Sequence, residues 1–541
     1  MKKKIFHLLV FFILTGQGYS QTWQWGIHDG STQEETTLSL CTDAHGNIYT
    51  LGRFGYGPNI ISIGVFAGDT LIISGSTDLF IASYDTYGNS NWAKRAGSQT
   101  VQDFEYCWIY NNKVDSSLYL FGYFYSDFSI DTFNLNGNAS TEELYLGRLN
   151  YAGNSLWLKK AISLPDGGGI SVMSNDHSGR IYILGTSFAG ATLDTINIPA
   201  GVFVSRVNSD GDFLWAKKIV DLFGTFSWNI KAINTGFIAS GIYYDSLIID
   251  SIQIVGRGKH DLFIALFDSL GSVQWVRSYG GPQSEFKSIM DIDDQGNIYI
   301  TAFFSDSIYF DSTLLTHGGK DVFLAKFDPQ GNFLWAKQLF ANGDAESNDI
   351  DVDDQGNVYI TGYFNLQATF GGNTVTATSY PSMFLARYNS TGDFLGVRYF
   401  GSARGTNVVS DGSSVIVSGT FTNSVNIDNT TLTSNGLTDM FVAKHDAFTG
   451  VGELNVQRKQ SLFIYANPST GKCTIKVPEE FLNENNLVLS IFDQNGKAIR
   501  EYAMEMNDGK IRLNLEAEAK GTYVVKLSNG LKQYTGRIVF E

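Results

Sequence analysis

Short apolar segments alternate with turns rich in Asp, Gly and Asn along most of the chain. The segment DDQGNIYIT begins at Asp293 and returns with one change at Asp353. Weaker copies begin at Asp43 and Asp176, and degenerate copies lie around Leu118, Gly236 and Ser414. Self-similarity of this kind is the signature of a repeat architecture. The pattern therefore predicts seven repeats rather than several unrelated domains.

A second phrase, DVFLAKFDPQGNFLWAK, begins at Asp321. Its aromatic third residue recurs seven times at intervals of 57 to 65 residues, at Phe80, Tyr145, Phe203, Phe263, Phe323, Phe384 and Phe441. A tryptophan follows in five copies, at Trp92, Trp157, Trp215, Trp275 and Trp335, and Gly396 takes the sixth place. The seventh copy has no such segment after it. One unclaimed copy, WQWG, begins at Trp23.

Each repeat is predicted to form four antiparallel strands. In the fifth repeat these are residues 288–292, 298–304, 322–327 and 333–339. Aromatic and β-branched residues fill the strands, and Asp-x-x-Gly-Asn turns join the first to the second and the third to the fourth. Four strands in each repeat, with no helical pattern between them, describe a propeller blade.

The missing fourth strand of the last repeat predicts how the ring closes. Residues 22–26 would supply this strand beside residues 440–445, which removes an exposed sheet edge. The fold class expected for residues 21–448 is therefore an all-β, seven-bladed β-propeller closed by an N-terminal strand.

The composition changes after the last repeat. Residues 449–460 are predicted to be a linker, and residues 461–541 contain seven short apolar segments separated by Asn- and Gly-rich turns. Seven short strands in about 80 residues favour an immunoglobulin-like β-sandwich.

The first twenty residues have the pattern of a signal peptide. Three lysines precede an apolar run at residues 5–14, and small residues lead to a predicted cleavage between Ser20 and Gln21. The run is too short to span a bilayer, and no later apolar stretch approaches the ~18 residues of a membrane helix. The mature chain is therefore expected to have no transmembrane segment.

The repeats resemble those of secreted bacterial β-propeller repeat proteins, over about residues 21–450. The resemblance rests on the DxxGNxY and DxF…GxxxW phrases described above. It implies a fold and no fixed chemistry.

The C-terminal segment looks like the type A sorting domain of the bacterial type IX secretion system. The resemblance rests on the motifs YANP, IFDQNGK and KGTYVVKL, and Ala466 stands where that family usually has proline. The motif residues are Asn467, Pro468, Asp493, Gly496, Gly521 and Tyr523. The resemblance implies passage through the periplasm to the cell surface or the medium. Its implied partners are the secretion machinery and a surface sortase-like protease.

The net charge of −16 disfavours a nucleic-acid partner and an anionic membrane surface. Aromatic residues make up 14% of the chain, which excludes disorder over most of its length. The three cysteines are expected to be free thiols, although a bridge between Cys41 and Cys107 stays open.

No catalytic motif and no histidine set suited to a metal appears, so no catalytic residue, metal ligand or cofactor is predicted. The segment DxDDxGN at Asp291 and again at Asp351 is similar to a calcium loop but lacks its full ligand order. Turn-capping carboxylates are the favoured interpretation there. Weak calcium binding stays open at the acidic links between repeats.

Long, variable links on one face are the predicted binding face, because variable loops on a rigid scaffold carry function. These links hold candidate binding-face acids, which a solvated acidic rim would also explain: Glu34, Glu35, Asp103, Glu105, Asp166, Glu285 and Glu346.

The function expected is that of an exported binding module with a glycan or protein ligand. A lyase or glycosidase using carboxylates of the long-loop face is an alternative, so enzymatic activity stays open. A purely structural surface protein is the third possibility.

Overall fold

Residues 23–446 of the computed structural model form seven repeats of four antiparallel strands. The structure describes residues 23–540 except 56–62, 74–75, 99–106, 139–140, 165–167, 222–224, 429, 447–459, 466–467, 478–480, 482–486, 494–496, 505–508 and 529–532. The predicted signal peptide lies outside these residues. Every regular element named below is a strand.

Strands are numbered in chain order, and the four of each repeat are called first to fourth. The first strands are β2 (Glu35–Thr42), β8 (Cys107–Asn112), β14 (Gly168–Asn175), β20 (Thr225–Ile233), β24 (Glu285–Ile292), β28 (Ala345–Val352) and β34 (Ala403–Ser410). The second strands are β3 (Ile48–Phe54), β9 (Ser117–Phe124), β15 (Ile181–Ser187), β21 (Gly236–Ile249), β25 (Ile298–Phe310), β29 (Val358–Phe364) and β35 (Ser414–Phe421).

The third strands are β6 (Asp78–Tyr84), β12 (Glu142–Asn150), β18 (Gly201–Val207), β22 (Ile252–Asp268), β26 (Thr313–Phe327), β32 (Ser382–Tyr388) and β38 (Asp439–Asp446). The fourth strands are β7 (Ser90–Gly97), β13 (Ser155–Leu164), β19 (Phe213–Val220), β23 (Val273–Tyr279), β27 (Phe333–Asn342), β33 (Phe394–Gly401) and, for the last repeat, β1 (Trp23–Asp29).

The Asp-x-x-Gly-Asn turns form as the sequence predicts. In the turn after β24, the Asp293 carboxylate accepts hydrogen bonds from the backbone N–H groups of Gln295 and Asn297 at 3.0 and 2.8 Å. Gly296 has a φ of 80°, a conformation that glycine adopts without strain. The same geometry recurs at Asp43 and Asp353. These acids therefore hold turns closed.

The N-terminal strand β1 pairs antiparallel with β38, Gly26 opposite Ala443 and Asp29 opposite Met440. The pairing extends three residues beyond the predicted segment 22–26. Trp25 donates from its indole nitrogen to the Thr86 carbonyl at 3.2 Å, as Trp92 does to Tyr151 at 3.1 Å. Trp25 is therefore the counterpart of the repeat tryptophans.

A glycine in the third-to-fourth-strand turn packs against the tryptophan of the preceding repeat. A Cβ added at Gly153 would lie 2.7 Å from the Trp92 ring, and one at Gly331 2.7 Å from Trp275. The sixth repeat has Gly396 in place of tryptophan. The seventh repeat, which comes next, takes its fourth strand from the N-terminus and so has no turn between its third and fourth strands. The tryptophan is missing where its glycine partner is missing.

The links between second and third strands, which the sequence shows to be long and variable, contain β-hairpins. In repeats 4 and 5 they continue β21 into β22 and β25 into β26. Elsewhere they are separate strand pairs: β4 (Ile63–Phe66) with β5 (Asp69–Ile72), β10 (Asp127–Ile130) with β11 (Phe133–Asn136), β16 (Ala191–Leu193) with β17 (Ile196–Ile198), β30 (Gln367–Phe370) with β31 (Asn373–Thr376), and β36 (Ser424–Ile427) with β37 (Thr430–Thr433).

Each of these hairpins lies against the fourth strand of the preceding repeat. β10 pairs with β7, β16 with β13, β21 with β19 and β30 with β27. Val65 of β4 exchanges main-chain hydrogen bonds with Gly30, which follows β1. The hairpins thereby cover outer strand edges that would otherwise be free to pair with another chain.

The C-terminal region forms a second compact unit, with the division of the chain between Leu454 and Asn455. Its strands are β39 (Gln460–Ser461), β40 (Phe463–Tyr465), β41 (Lys472–Lys476), β42 (Leu487–Phe492), β43 (Ala498–Met504), β44 (Lys510–Asn514), β45 (Gly521–Ser528) and β46 (Gln533–Phe540). One sheet has the order β39-β46-β45-β42-β43 and the other β40-β41-β44. Ile475, Leu489, Ile491 and Val525 belong to one buried apolar cluster of this unit.

Candidate binding cavity

A central cavity of about 1870 Å³ runs along the first strands of the repeats, and all seven of these strands line it. Each first strand contacts the next, from β2 and β8 through to β28 and β34, and β34 also contacts β2. Repeats from both ends of the segment 23–446 therefore enclose the same space.

Side chains of the first strands bind main-chain amides of the neighbouring repeat. The Ile109 N–H donates to Ser39 Oγ at 3.2 Å, and the Ala232 N–H donates to Ser174 Oγ at 3.0 Å. Carboxylates on later first strands accept hydrogen bonds from main-chain amides in the same way. Asn407 Nδ2 donates to the Leu38 carbonyl at 3.3 Å. The first strands carry β-bulges, which leave ladder amides unpaired. These bonds satisfy such amides and tie adjacent repeats together.

One lysine lies among three carboxyl groups inside the cavity. Lys231 Nζ is 2.8 Å from Asp291 Oδ1, while Asp349 and Asp351 accept from the N–H groups of Val408 and Ser410 at 2.9 and 2.7 Å. Burial raises the pKa of Asp349 to about 6 and that of Asp351 well above its usual range. Burial alone would lower the pKa of Lys231, but Asp291 holds it above its ordinary value.

The cavity mouth, defined as the end where the first strands begin, combines basic, amide and aromatic groups. Lys287 Nζ donates to Asn348 Oδ1 at 2.6 Å. The Arg404 guanidinium lies 4.2 Å from the centroid of the Tyr363 ring, and Glu346 lines the same region. Burial lowers the pKa of Lys287, although Glu346 opposes the shift. Hydrogen-bond donors and acceptors beside a ring suit a polar ligand.

The predicted binding-face acids are not gathered at one place. Among those that the structure describes, Glu346 lines the cavity, Glu34 is exposed, and Glu35 and Glu285 are fully buried. Asp103, Glu105 and Asp166 lie outside the described residues. Glu35 and Glu285 are the first residues of their strands, a position that points between sheets.

The two buried glutamates differ in their surroundings. Glu35 Oε2 accepts from the Ser31 N–H at 3.0 Å, and Glu35 Oε1 accepts from Ser31 Oγ at 2.5 Å. No side chain donates to the Glu285 carboxylate in the described part of the chain, and only backbone N–H groups, of Gly281 and of Glu285 itself, lie near it. Burial raises the pKa of Glu35 to about 7 and that of Glu285 to about 9, with Asp261 adding to the second shift.

The DxDDxGN segments use their carboxylates structurally. Asp293 holds its turn, and Asp291 binds Lys231 and accepts from the Val352 N–H at 2.8 Å. Within the described ranges, no group of three or more His, Cys, Asp or Glu side chains is arranged to hold a metal ion. Cys41 and Cys107 are free thiols, so the bridge between them is not formed.

Sequence reasoning missed Lys231, Lys287, Asn348 and Tyr363 as cavity residues. These residues stand in different sequence segments, and they come together only because the repeats lie side by side. A usable signal exists in hindsight for Lys231, Lys287 and Asn348, because the first strands that precede the turns line the cavity, whereas Tyr363 belongs to the second strand β29.

The sorting-motif residues that the structure describes hold turns in the C-terminal unit. The Lys497 N–H donates to Asp493 Oδ1 at 3.0 Å, and the Tyr523 hydroxyl donates to the Ala519 carbonyl. Gly521 begins β45, and Pro468 precedes Ser469, which bridges to Phe540. Asn467 and Gly496 lie outside the described residues.

Comparison with known families identifies both parts of the chain. Residues 463–541 match the model of a secretion system C-terminal sorting domain, and residues 334–363 match that of a β-propeller repeat. The chain therefore carries a β-propeller repeat and a type IX C-terminal sorting domain, which directs export through the periplasm to the cell surface or the medium.

Individual relatives are distant. The uncharacterized WD repeat-containing protein L264 of Acanthamoeba polyphaga mimivirus is 27% identical over 256 residues, which cover 40% of this chain and 18% of the viral protein. The extracellular domain of BT4673 from B. thetaiotaomicron has a TM-score of 0.25 and 11% identity, covering 93% of this chain and 75% of that one. Phage phi92 endosialidase has a TM-score of 0.31 and 12% identity, covering 96% and 86%. These scores assign no activity.

Among the described residues, no helix is long and apolar enough to cross a membrane.

Proposed function

We propose that the exported chain is a binding module built on a closed, seven-bladed β-propeller, and that it takes a glycan or protein ligand at the cavity mouth. The pairing of β1 with β38 supports closure, as does the contact of β34 with β2. The bond from the Trp23 N–H to Asp428 Oδ2 at 2.8 Å adds support. It matches the bond from the Phe213 N–H to Asp194 at 3.1 Å at the start of another fourth strand.

The C-terminal unit is proposed to be an immunoglobulin-like sandwich that the secretion machinery recognises. Two sheets that share one apolar cluster support this assignment. The bond from the Tyr523 hydroxyl to the Ala519 carbonyl, four residues upstream, has the form of the tyrosine corner found in such sandwiches. A surface sortase-like protease is the expected second partner.

One observation carries the choice of a binding module. The mouth presents Lys287, Asn348, Tyr363 and Arg404 from three different repeats around one wide cavity. Large concave sites with a few convergent polar groups are the usual places for ligands. Most carboxylates inside the cavity are engaged by amides or by Lys231, which leaves them serving the scaffold.

The test is binding of the full exported chain to an array of glycans and of surface proteins from the same environment. Replacing Arg404 with Ala and Asn348 with Ala should each weaken binding of the identified ligand about tenfold, because each removes a directional contact. Tyr87→Ala, on the exposed turn between β6 and β7, is the matched control. Unchanged binding by both mouth variants would exclude the mouth as the site.

A further inference from the structure

Aromatic rings form a row on the surface where repeats 4 and 5 meet. Tyr244 and His260 have ring centroids 5.6 Å apart, His260 and Phe286 5.8 Å, and Phe286 and Phe303 5.2 Å. Tyr244 is 53% exposed and Phe286 36% exposed, whereas Phe303 is buried and packs against Phe286. Exposed aromatic residues in contact with each other mark a binding surface more often than isolated ones do.

The row is not a requirement of the scaffold. Phe286 and Phe303 face each other across β24 and β25. Four other repeats carry at least one polar residue or glycine at this pair of positions: Thr36 and Arg53, Gly169 and Thr186, Glu346 and Tyr363, and Arg404 and Thr420. The repeat architecture therefore tolerates polar groups here, and the two phenylalanines are specific to this place.

Basic side chains surround the row. Lys320 Nζ lies 5.4 Å from the Phe303 centroid, and Lys287 follows Phe286 directly and lines the cavity. Exposed Arg257 and Lys259 precede His260, and the Lys259 N–H donates to the Gln283 carbonyl at 3.1 Å, close to β24. These residues stand on a chain whose net charge is −16.

These four cations are not neutralised locally. In the described part of the chain, none of them has a carboxylate within ion-pair distance, whereas Lys94, Lys159 and Lys217 are paired with Asp131, Asp212 and Asp250. Exposed Asp245 and Asp306 lie at the same end of the sheets. The neighbouring Glu285 is buried. Glu346 lies near Lys287, so the four cations face three acids, Asp245, Asp306 and Glu346, and positive charge exceeds negative charge by one on this surface.

Lys287 has a backbone conformation that residues other than glycine rarely adopt. Its φ is 55°, within the bulge of β24 between Phe286 and Ile289. A lysine in this region is strained, and such strain is concentrated at functional sites. The bulge places Lys287 on the cavity side of Phe286, so the row and the mouth form one continuous surface.

We propose that this aromatic-basic surface, made of Tyr244, His260, Phe286, Lys287 and Lys320, with the buried Phe303 packed against Phe286, binds an acidic polysaccharide bearing carboxylate groups. The inference rests on the proposed binding function and names its ligand class. Ring faces pack against the apolar faces of sugar units, and the cations bind the carboxylates. Rings alone would suit a neutral glycan equally well, and the excess of positive charge favours an acidic one.

The experiment measures binding of the full exported chain to polygalacturonate by calorimetry, with dextran as the neutral polymer and an oligothymidylate as the single-stranded nucleic acid. Binding to polygalacturonate alone, weakening as salt is raised, is the expected result. Equal binding to dextran, or tighter binding to the oligothymidylate, would overturn the proposal.

Variants locate the surface. Phe286→Ala should weaken polygalacturonate binding about tenfold and Lys320→Gln about threefold, because one removes a ring face and the other a single charge. Tyr87→Ala, an exposed ring on a distant turn, should leave binding and the melting temperature unchanged. If other glycans or proteins bind while polygalacturonate does not, the ligand class is wrong and the binding function stands. If nothing binds on either array, both proposals fail.

Discussion

The interface between repeats 7 and 1 and the interface between repeats 4 and 5 are built from the same parts. In the first, Glu35 lies near Asp439, and Trp25 packs on Gly88. In the second, Glu285 lies near Asp261, and the turn glycine of repeat 5 packs on the repeat 4 tryptophan.

The two interfaces differ in how they treat their buried acids. At the first interface, Ser31 donates to Glu35, and His28 lies 3.4 Å from Asp439. At the second, no side chain in the described residues donates to Glu285, and only backbone N–H groups lie near its carboxylate. The less satisfied interface lies beneath the aromatic-basic surface. Local rules of a fold are often broken at functional sites, and this comparison points to repeats 4 and 5.

Removing β1 should have the largest effect on stability, because it removes the interface between repeats 7 and 1. Deletion of Trp23–Asp29 exposes the edge of β38 and the apolar side chains packed beneath it, including Phe441. The chain should lose cooperative thermal unfolding or aggregate, as followed by calorimetry and light scattering. A chain of the same length with these residues replaced by Gly and Ser should behave like the deletion. Unchanged unfolding of both would mean that the repeats close without β1.

Replacing the unsatisfied glutamate should come next in size. Because the folded-state pKa of Glu285 is raised to about 9, its favourable contribution is present below an unfolded value near 4.5 and is lost as the pH rises through 9. The unfolding free energy of Glu285→Gln relative to the parent should therefore rise with pH above about 4.5, by about 3 kcal/mol at pH 7 and further up to pH 9. Chemical denaturation across this pH range provides the measurement.

Glu35→Gln is the matched control for that prediction. Burial raises the pKa of Glu35 to about 7, so the pH-dependent loss of stability in the parent should be smaller and confined to about pH 4.5 to 7. Gln also weakens the contacts from Ser31, which offsets the gain. An equal pH response in both variants would contradict the difference drawn between the two interfaces.

Turn glycines should give the smallest effect and should be similar at both interfaces. A Cβ at Gly88 would lie 2.9 Å from Trp25, one at Gly331 2.7 Å from Trp275, and one at Gly412 would meet nothing within 4 Å. All three have positive φ, so alanine costs roughly 1 kcal/mol at each. The two that meet tryptophan should lose about 1–2 kcal/mol more in denaturant unfolding. Equal losses at all three would mean that the ring contact adds nothing.

The sequence predicts much of this architecture because its signals are local. Turn residues such as Asp293 and Gly296 act on their own backbone, and strand boundaries in the fifth repeat differ from prediction chiefly at the hairpin and the strand ends. The hairpins were missed because their residues alternate between buried and exposed on the rim, with few strongly apolar runs. Residues 313–316 of β26 alternate between half-buried and exposed.

The candidate site was predicted poorly for a different reason. Glu285 and Glu346 occupy neighbouring places in their repeats, yet one is buried between sheets and the other lines the cavity. A one-residue change of position along a strand reverses the direction of a side chain, and the sequence does not fix that register. Contacts such as Lys287 with Asn348 join residues 61 positions apart in the chain.

The bond between Trp23 and Asp428 joins residues 405 positions apart, so the last strand pairing waits for nearly the whole chain. Folding rates fall as contacts become more distant in sequence, and this pairing is among the most distant that a chain of 541 residues allows. An incomplete chain has β38 without its partner. In that state, β1 of a second molecule can pair with the free edge of β38. Exchange of the strand between two molecules would give a dimer instead of a monomer.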